Sequence, residues 1–313
     1  MIIWREVEGA VFAARESPAV VTIGNFDGVH LGHQHLLAEA RAAGSPVVAV
    51  TFDPHPAELF APDRAPKSLT TLGRRIELLK HHGADEVRVL AFDREMAALS
   101  APDFIRRVLI EQLQASAVVV GENFRFGAKA AGDVELMHAE LERLGCAVRG
   151  VPLAEAGQLD GRPFCSTLVR ELVEAGRVVE AGRVLGRPHE IEGLVRRGDG
   201  RGRDLGFPTA NVPTDERVSV PADGVYAGYV RHDGLAHPAA ISVGTNPTFG
   251  ANARRVESYV LDTTTIDLYD KVICVEFIDH LRPMERFDTV EALVAQMHDD
   301  VSAARAVLHA TPG

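Results

Sequence analysis

The sequence predicts two domains of different class: an N-terminal α/β unit on a doubly wound parallel sheet, then an all-β unit, a small antiparallel β-barrel with a C-terminal helix packed on it. Three observations carry this expectation. At 313 residues the chain is too long for one ordinary core and suits two. Up to about residue 185, short β-rich runs alternate with stretches of helical periodicity, as strands joined by crossover helices require. Beyond it, short alternating runs divided by glycine and proline succeed one another, with no helix-length segment before Val290. Gly186-Arg187-Pro188-His189 breaks the last helix of the first half, so the domains are drawn at 1–185 and 186–313.

In the first half the expected strands are Ala19 to Ile23, Val47 to Phe52, Glu86 to Phe92, Ala117 to Gly121 and Ala147 to Val151. The helices between them are Gly32 to Ala43, Leu72 to His81, Pro102 to Leu113 and Asp133 to Leu144. Polar stretches follow the first, second and fourth strands. Ligands of open α/β sheets bind at the carboxyl ends of the strands, so one rim collects all three.

The first stretch, Gly24-Asn25-Phe26-Asp27-Gly28-Val29-His30-Leu31-Gly32-His33, joins a strand to an amphipathic helix. His30 and His33 fall on one face of the first helical turn, beside N–H groups that lack intrahelical partners and carry the positive end of the dipole. Such a corner suits polyphosphate: glycine at 24, 28 and 32 admits a ligand close to the backbone, and the imidazoles can donate to phosphoryl oxygens. A bare HxGH tetrapeptide is also simply a tight turn with two solvated histidines. Asp53-Pro54-His55-Pro56 offers Asp53 and His55 to a ligand, and a rigid turn explains it equally. After the fourth strand, Phe124 and Phe126 flank Arg125, an apolar wall with a cation that suits a flat aromatic ligand and a phosphate, with Asn123 beside them. A surface loop is the other reading. Ser166 and Thr167 precede a helical run carrying Arg170 and would also serve as an ordinary N-cap. No G-x-x-x-x-G-K-[ST] is present and no G-x-G-x-x-G follows the first strand, so a P-loop and a dinucleotide fingerprint are excluded.

In the second half the expected strands are Ile191 to Arg196, Gly224 to Val230, Ala239 to Val243, Val256 to Leu261 and Lys271 to Ile278, ahead of a helix from Val290 to Leu308. Between the first two lies a run in which Gly198, Gly200, Gly202 and Gly206 surround arginines that include Arg203. Such a loop can wrap phosphates with main-chain donors. Pro208 stiffens its exit, and Thr209 and Asn211, two apart on an extended segment, face one side and offer neutral oxygens to a hard cation. A flexible Gly/Arg hairpin is the alternative on these residues alone.

A hydrophobic fraction of 46% with 25% charged residues belongs to a soluble globular chain. The net charge of -11 excludes a nucleic-acid binder working through a general basic field. Anionic ligands then need local arginines, helix N-termini or a divalent cation, for which magnesium is the natural choice. Cys146, Cys165 and Cys274 show neither a disulfide framework nor zinc spacing, which fits a reducing cytoplasm. The first residues carry charges at once, with no signal-type apolar region, and no run approaches a membrane span, so no membrane partner is expected.

The decapeptide from Gly24 to His33 resembles the nucleotidyltransferase signature G-x-F-D-G-x-H-x-G-H. The run Leu205-Gly206-Phe207-Pro208-Thr209-Ala210-Asn211 resembles the riboflavin kinase signature. Asp223-Gly224-Val225-Tyr226-Ala227, Ser242 to Phe249, Val256-Glu257-Ser258-Tyr259 and Asp267-Leu268-Tyr269 follow in the order found in bacterial bifunctional riboflavin kinase/FMN adenylyltransferases, also called FAD synthetases. The resemblance runs from about Val20 to Val301. It implies a Rossmann-like nucleotidyltransferase domain and a riboflavin kinase barrel that convert riboflavin to FMN and FMN to FAD, consuming ATP and releasing ADP and pyrophosphate. It implies Glu257 as the kinase base, where the residue alone reads equally as an outward-facing strand carboxylate. It also implies that Gly24, Asn25, Phe26, Asp27, Gly28, His30 and His33 attend the phosphates of the second ATP. Ser166, Thr167 and Arg170 match the family's S-S-T-x-x-R, but Cys165 replaces its first serine. That leaves as alternative a riboflavin kinase whose N-terminal module only binds or is impaired. Thr263-Thr264-Thr265 and Asp270 depart from the family's usual acidic turn and glycine, a hairpin variation.

Overall fold

The computed structural model describes residues 4–8, 10, 15–197, 202, 205–215, 217–244, 254–262 and 266–310. Gly198, Gly200, Arg203, the stretch 245–249 and the threonines 263–265, all singled out in the sequence, lie outside the described residues. The chain divides into two compact units, Met1–Pro66 with Thr71–Cys165, and Lys67–Thr70 with Ser166–Gly313.

In the first unit, runs of valine, alanine and isoleucine form β1 (Ala19–Ile23), β2 (Val47–Asp53), β3 (Glu86–Ala91), β4 (Ala115–Gly121) and β5 (Ala147–Val151). All pair in parallel in the order β3-β2-β1-β4-β5. The strand period of two sorts their side chains onto two faces. Val21, Ile23, Val48, Val50, Val118 and Val120 enter one core, and Val20, Val47, Ala49, Val89 and Val119 the other. Helix α1 (Leu31–Ala43) covers the second face with Leu36, Leu37 and Ala40. Between β2 and β3 a single turn, α2 (Pro56–Phe60), precedes α3 (Leu72–His81), which adds Ile76, Leu78 and Leu79 to that face. The first face is covered by α4 (Ala101–Phe104) and α5 (Val134–Glu142), through Phe104, Met137 and Leu141. The expected doubly wound sheet is present.

Two local differences have physical causes. Beyond Phe104 the expected helix continues as a π-helix over Ile105–Gln112, its end marked by Leu113 N–H donating to Val108 O at 3.1 Å. The turn Pro56–Phe60 is too short to show periodicity; a capping box makes it, with His55 Nδ1 accepting from Ala57 N–H and Glu58 Oε1 accepting from His55 N–H, both at 3.1 Å.

The second unit opens with α6 (Ser166–Glu174) and α7 (Val178–Leu185), read in the sequence as one helical run. Gly176, at φ +74, ends the first of them. The strands that follow are β6 (His189–Leu194), β7 (Ala210–Pro213), β8 (Gly224–His232), β9 (Leu235–Gly244), β10 (Arg255–Val260) and β11 (Val272–Pro283). They pair antiparallel in the order β6-β11-β8-β9-β10-β7. Arg196 N–H donates to Asn211 O at 2.9 Å, so the chain just beyond β6 returns to β7 and nearly closes a barrel. Ile191, Val212, Tyr226, Ile241, Val256 and Phe277 fill it. Val178 of α7 belongs to the same core, which is why these helices group with the barrel. Helix α8 (Val290–Ala310) seats Val301, Ala304 and Leu308 against Phe207, Ala227 and Leu261.

Candidate active sites

In the first unit the loops after β1, β2 and β4 leave adjacent parallel strands at the same edge of the sheet. The loop after β1 is the most constrained. Gly24 N–H donates to Val50 O at 3.1 Å, after which Phe26, Gly28 and Val29 all take left-handed backbone angles of φ +50, +80 and +40. For the two non-glycine residues this costs about 1–2 kcal/mol each. Burial offsets the cost: Phe26 and Val29 are 0% exposed and Asp27 is 2% exposed.

The turn delivers His30 to the N-cap of α1, where its ring makes no capping bond and its side chain is buried. The His30 and His33 rings stack with centroids 3.7 Å apart, and Phe26 meets His33 edge-on at 5.1 Å. Gly32 is required here, since a Cβ would lie 2.9 Å from His30 Cε1 and 3.2 Å from Phe164 O. Two imidazoles are therefore held side by side at the positive end of a helix dipole, on the rim where the strands end.

Beneath the turn lies a group the sequence reading missed. Arg75 of α3 is 6% exposed; its Nη1 donates to Thr51 Oγ1 at 3.3 Å and to Phe52 O at 3.4 Å, and its Nη2 stands 3.6 Å from Asp27 Oδ1. Thr51 Oγ1 in turn donates to Asn25 O at 2.9 Å. The signal was present: Leu72, Arg75, Ile76 and Leu79 have the spacing of one helical stripe, so the arginine had to face the sheet.

The other two loops show more structural work. Asp53 pairs with Arg5, and His55 caps α2. Phe126 is buried in the core against Phe104, while half-buried Phe124 stacks on it at 5.8 Å. Asn123 and Arg125 are exposed beside them, with Arg125 donating to Phe124 O at 3.1 Å. In the second unit Ser166 and Thr167 begin α6, and Arg170 Nε donates to Lys67 O at 2.5 Å.

The barrel builds its site from strand register. Asn211 on β7, Glu257 on β10 and Ser242 on β9 are direct cross-strand partners, so their side chains emerge in one row. Asn211 Nδ2 donates to Thr209 Oγ1 at 3.3 Å and to Thr209 O at 3.1 Å, bringing those two side chains together as their spacing predicts. Arg255 Nε lies 3.8 Å from Glu257 Oε1. Thr209, Ser242 and Glu257 form the polar side of a cavity of about 120 Å³ whose apolar side includes Phe207, Tyr259 and Met297. Arg282 and Asp300, also on its wall, join in a two-pronged ion pair at 2.7 Å that ties β11 to α8 and holds the Arg282 guanidinium above its ordinary pKa. Neither residue stood out in the sequence, because the pair forms only when strand and helix meet. Gly202 is packed on the chain that follows, where a Cβ would lie 2.4 Å from Phe207 O. Gly206 takes φ +87, and Pro208 is exposed. Among the described residues no group of three His, Cys, Asp or Glu could hold a metal ion.

A parallel sheet that collects an HxGH corner on its rim, joined to a barrel that sets Thr209, Ser242 and Glu257 on a cavity with Asn211 beside them, has the form of a two-module transferase. The family models say which one. The FAD synthetase model matches residues 13–167 and the riboflavin kinase model matches 185–308. The bifunctional riboflavin kinase/FMN adenylyltransferase of Pseudomonas fluorescens is 40% identical over 294 residues, 92% of each chain. That of Escherichia coli K12 is 38% identical over 299 residues, 93% of each chain. A crystal structure from Streptococcus pneumoniae, of a protein named as a macrolide-efflux protein, superposes with a TM-score of 0.83 at 32% identity, covering 94% of this chain and 95% of that one. No described helix here is long and apolar enough to cross a membrane. The chain belongs to the bifunctional riboflavin kinase/FMN adenylyltransferase family, and it is an enzyme of FAD biosynthesis.

Proposed function

We propose that the two reactions divide between the modules, with the residues above in the following roles. In the barrel the 5′-hydroxyl of riboflavin attacks the γ-phosphorus of ATP, Glu257 accepts the hydroxyl proton, and ADP leaves with FMN as product. In the N-terminal module an FMN phosphate oxygen attacks the α-phosphorus of a second ATP and pyrophosphate leaves in line, with no covalent enzyme intermediate. His30 and His33 donate hydrogen bonds to phosphoryl oxygens as charge shifts among them. By their match to S-S-T-x-x-R, Ser166, Thr167 and Arg170 are assigned to the adenylyl-transfer reaction, and residues 1–185 and 186–313 are taken as the functional modules. Asn123 and Arg125, the exposed polar groups of the β4 loop, attend the ligand, with Phe124 as its apolar neighbour.

The observation that carries this reading is the register that sets Asn211, Glu257 and Ser242 abreast on three strands, with Glu257 and Ser242 on the wall of the cavity. A base on a rigid strand beside a pocket with an apolar side is positioned for a ring-bearing alcohol. Magnesium fits the neighbouring donors, because Thr209 and Asn211 are held together and offer the neutral oxygens that a hard, partly hydrated cation accepts. When bound, it would neutralise the phosphate charge of ATP. The net charge of -11 and cysteines without disulfide or zinc spacing support a cytoplasmic place, with small molecules rather than nucleic acid as partners.

The test is a time course of the purified chain with riboflavin, ATP and magnesium, separating riboflavin, FMN and FAD by chromatography. Transient FMN followed by FAD is expected. FMN that accumulates with no FAD would overturn the role given to the HxGH corner, with Cys165 the first position to restore to serine.

A further inference from the structure

We infer that Arg75 is a positioning residue for adenylyl transfer, acting on His30 and His33 through the turn that precedes them. The inference rests on the role assigned above to those two histidines. Its ground is the way one buried cation is joined to both sides of a left-handed turn. Ahead of Phe26, Arg75 reaches the backbone through Thr51, whose Oγ1 bridges from the guanidinium to Asn25 O. Past Phe26, it faces the Asp27 carboxylate at 3.6 Å, with side chains 8% and 3% exposed. Phe52 O, at the end of β2, is a third anchor. The guanidinium therefore ties the turn to the sheet edge between Asn25 and Asp27, around the residue whose ring abuts His33.

The geometry calls for arginine. Only a planar fork can place one nitrogen on a hydroxyl and a carbonyl while the other faces a carboxylate; an ammonium on a flexible stem supplies the charge without the two directions. Removing that hold leaves the left-handed conformations of Phe26 and Val29 to packing and to the turn's own bonds, Val29 N–H to Phe26 O at 3.1 Å and Gln34 Nε2 to Val29 O at 2.9 Å. The histidine rings would then shift by a fraction of their present spacing, a displacement to which in-line transfer is sensitive. Arg75 belongs to the first compact unit, so the riboflavin kinase reaction of the same chain is an internal control.

The experiment compares the full chain with its Arg75→Lys variant and with the doubly neutral Asp27→Asn/Arg75→Met variant, measuring FMN adenylylation, riboflavin phosphorylation and thermal unfolding. The expected result for Arg75→Lys is a fall in adenylylation kcat of about ten- to a hundredfold, with KM for ATP changed by less than about twofold and the kinase rate unchanged. In the double variant unfolding returns close to that of the parent while kcat stays low. Parental kcat in Arg75→Lys, a kinase rate that falls in parallel, or recovery of kcat in the double variant would each overturn the inference; the last would reduce Arg75 to a counter-charge for Asp27. His30→Ala in the same series separates the two levels. If it adenylylates at the parental rate, the histidine assignment fails and this inference with it. If it is inactive while the Arg75 variants are not, only this inference fails.

Discussion

The two sites of this chain are made by opposite means. The N-terminal site is a contiguous decapeptide whose geometry comes from a conformationally costly turn, with left-handed angles at Phe26, Gly28 and Val29 and a buried cation underneath. Among the described residues of the barrel site the left-handed angle falls on a glycine, Gly206, where it carries no steric cost. Its Asn211, Glu257 and Ser242 come from three strands far apart in sequence and are set abreast by ladder register alone. A turn can be displaced by small changes nearby, whereas a register can be displaced only by disrupting the sheet, because a slip of one residue turns every side chain to the other face. The adenylyltransferase half should therefore be the more easily damaged by substitutions away from its reacting groups, and the kinase half the more dependent on one residue.

The largest effect should come from the barrel. Glu257→Gln keeps the shape of the side chain and removes the base, and should lower FMN formation by about a hundred- to ten-thousandfold. FAD formation from supplied FMN should continue at the parental rate. His30→Ala should do the reverse, lowering adenylylation by about a hundred- to a thousandfold and leaving riboflavin phosphorylation intact. Loss of both activities in either variant would break the division of labour.

A smaller, sharper test lies at Gly32. A Cβ there meets the His30 ring at 2.9 Å and Phe164 O at 3.2 Å, so Gly32→Ala must push the ring aside. Alanine also favours the helix over glycine by about 1 kcal/mol. Stability and activity are thus expected to move apart: an unfolding midpoint near the parent's, and adenylylation slowed by about tenfold. An unfolding midpoint that collapses together with activity would show packing, not ring placement, to be what Gly32 protects.

How much of this was legible in the sequence follows the same division. The alternation of strand and helix gave the doubly wound sheet, and β1 and α3 fall at the limits their periodicity sets, because apolar spacing and burial coincide there. The HxGH corner was readable as a ligand site because all its parts are neighbours in the chain. The row of Asn211, Glu257 and Ser242 was not, since register is a property of paired strands; the family resemblance supplied Glu257 where the residue alone could not. Phe126 looked like a ligand wall and is a core residue, because an apolar side chain near a site and one beneath it have the same sequence signature. Arg75 was hidden for the converse reason: a charged residue on an amphipathic helix is read as solvated unless its place on the apolar stripe is counted.

The smallest expected effect concerns acid stability and again separates the halves. At the entrance to β2, Asp85 accepts two bonds from Arg41 at 2.8 and 2.9 Å and one from Val47 N–H at 2.7 Å. The Arg41 guanidinium, and to a lesser degree the Val47 amide, holds this carboxyl below its ordinary pKa. A carboxyl depressed on folding contributes stability that is fully present above its unfolded pKa of about 3.9 and is lost as pH falls through the lower folded value. Asp85→Asn should therefore be less stable than the parent at neutral pH, and the gap should narrow below about pH 4. Both side chains are more than one-third exposed, so added salt should shrink the gap as well. Because Arg41 and Asp85 belong to the first unit, the difference should be read in adenylylation lost on mild heating, with the kinase rate unmoved. A gap that widens toward acid would mean the carboxyl is destabilised by folding, and the pairing with Arg41 would then not be what holds the start of β2.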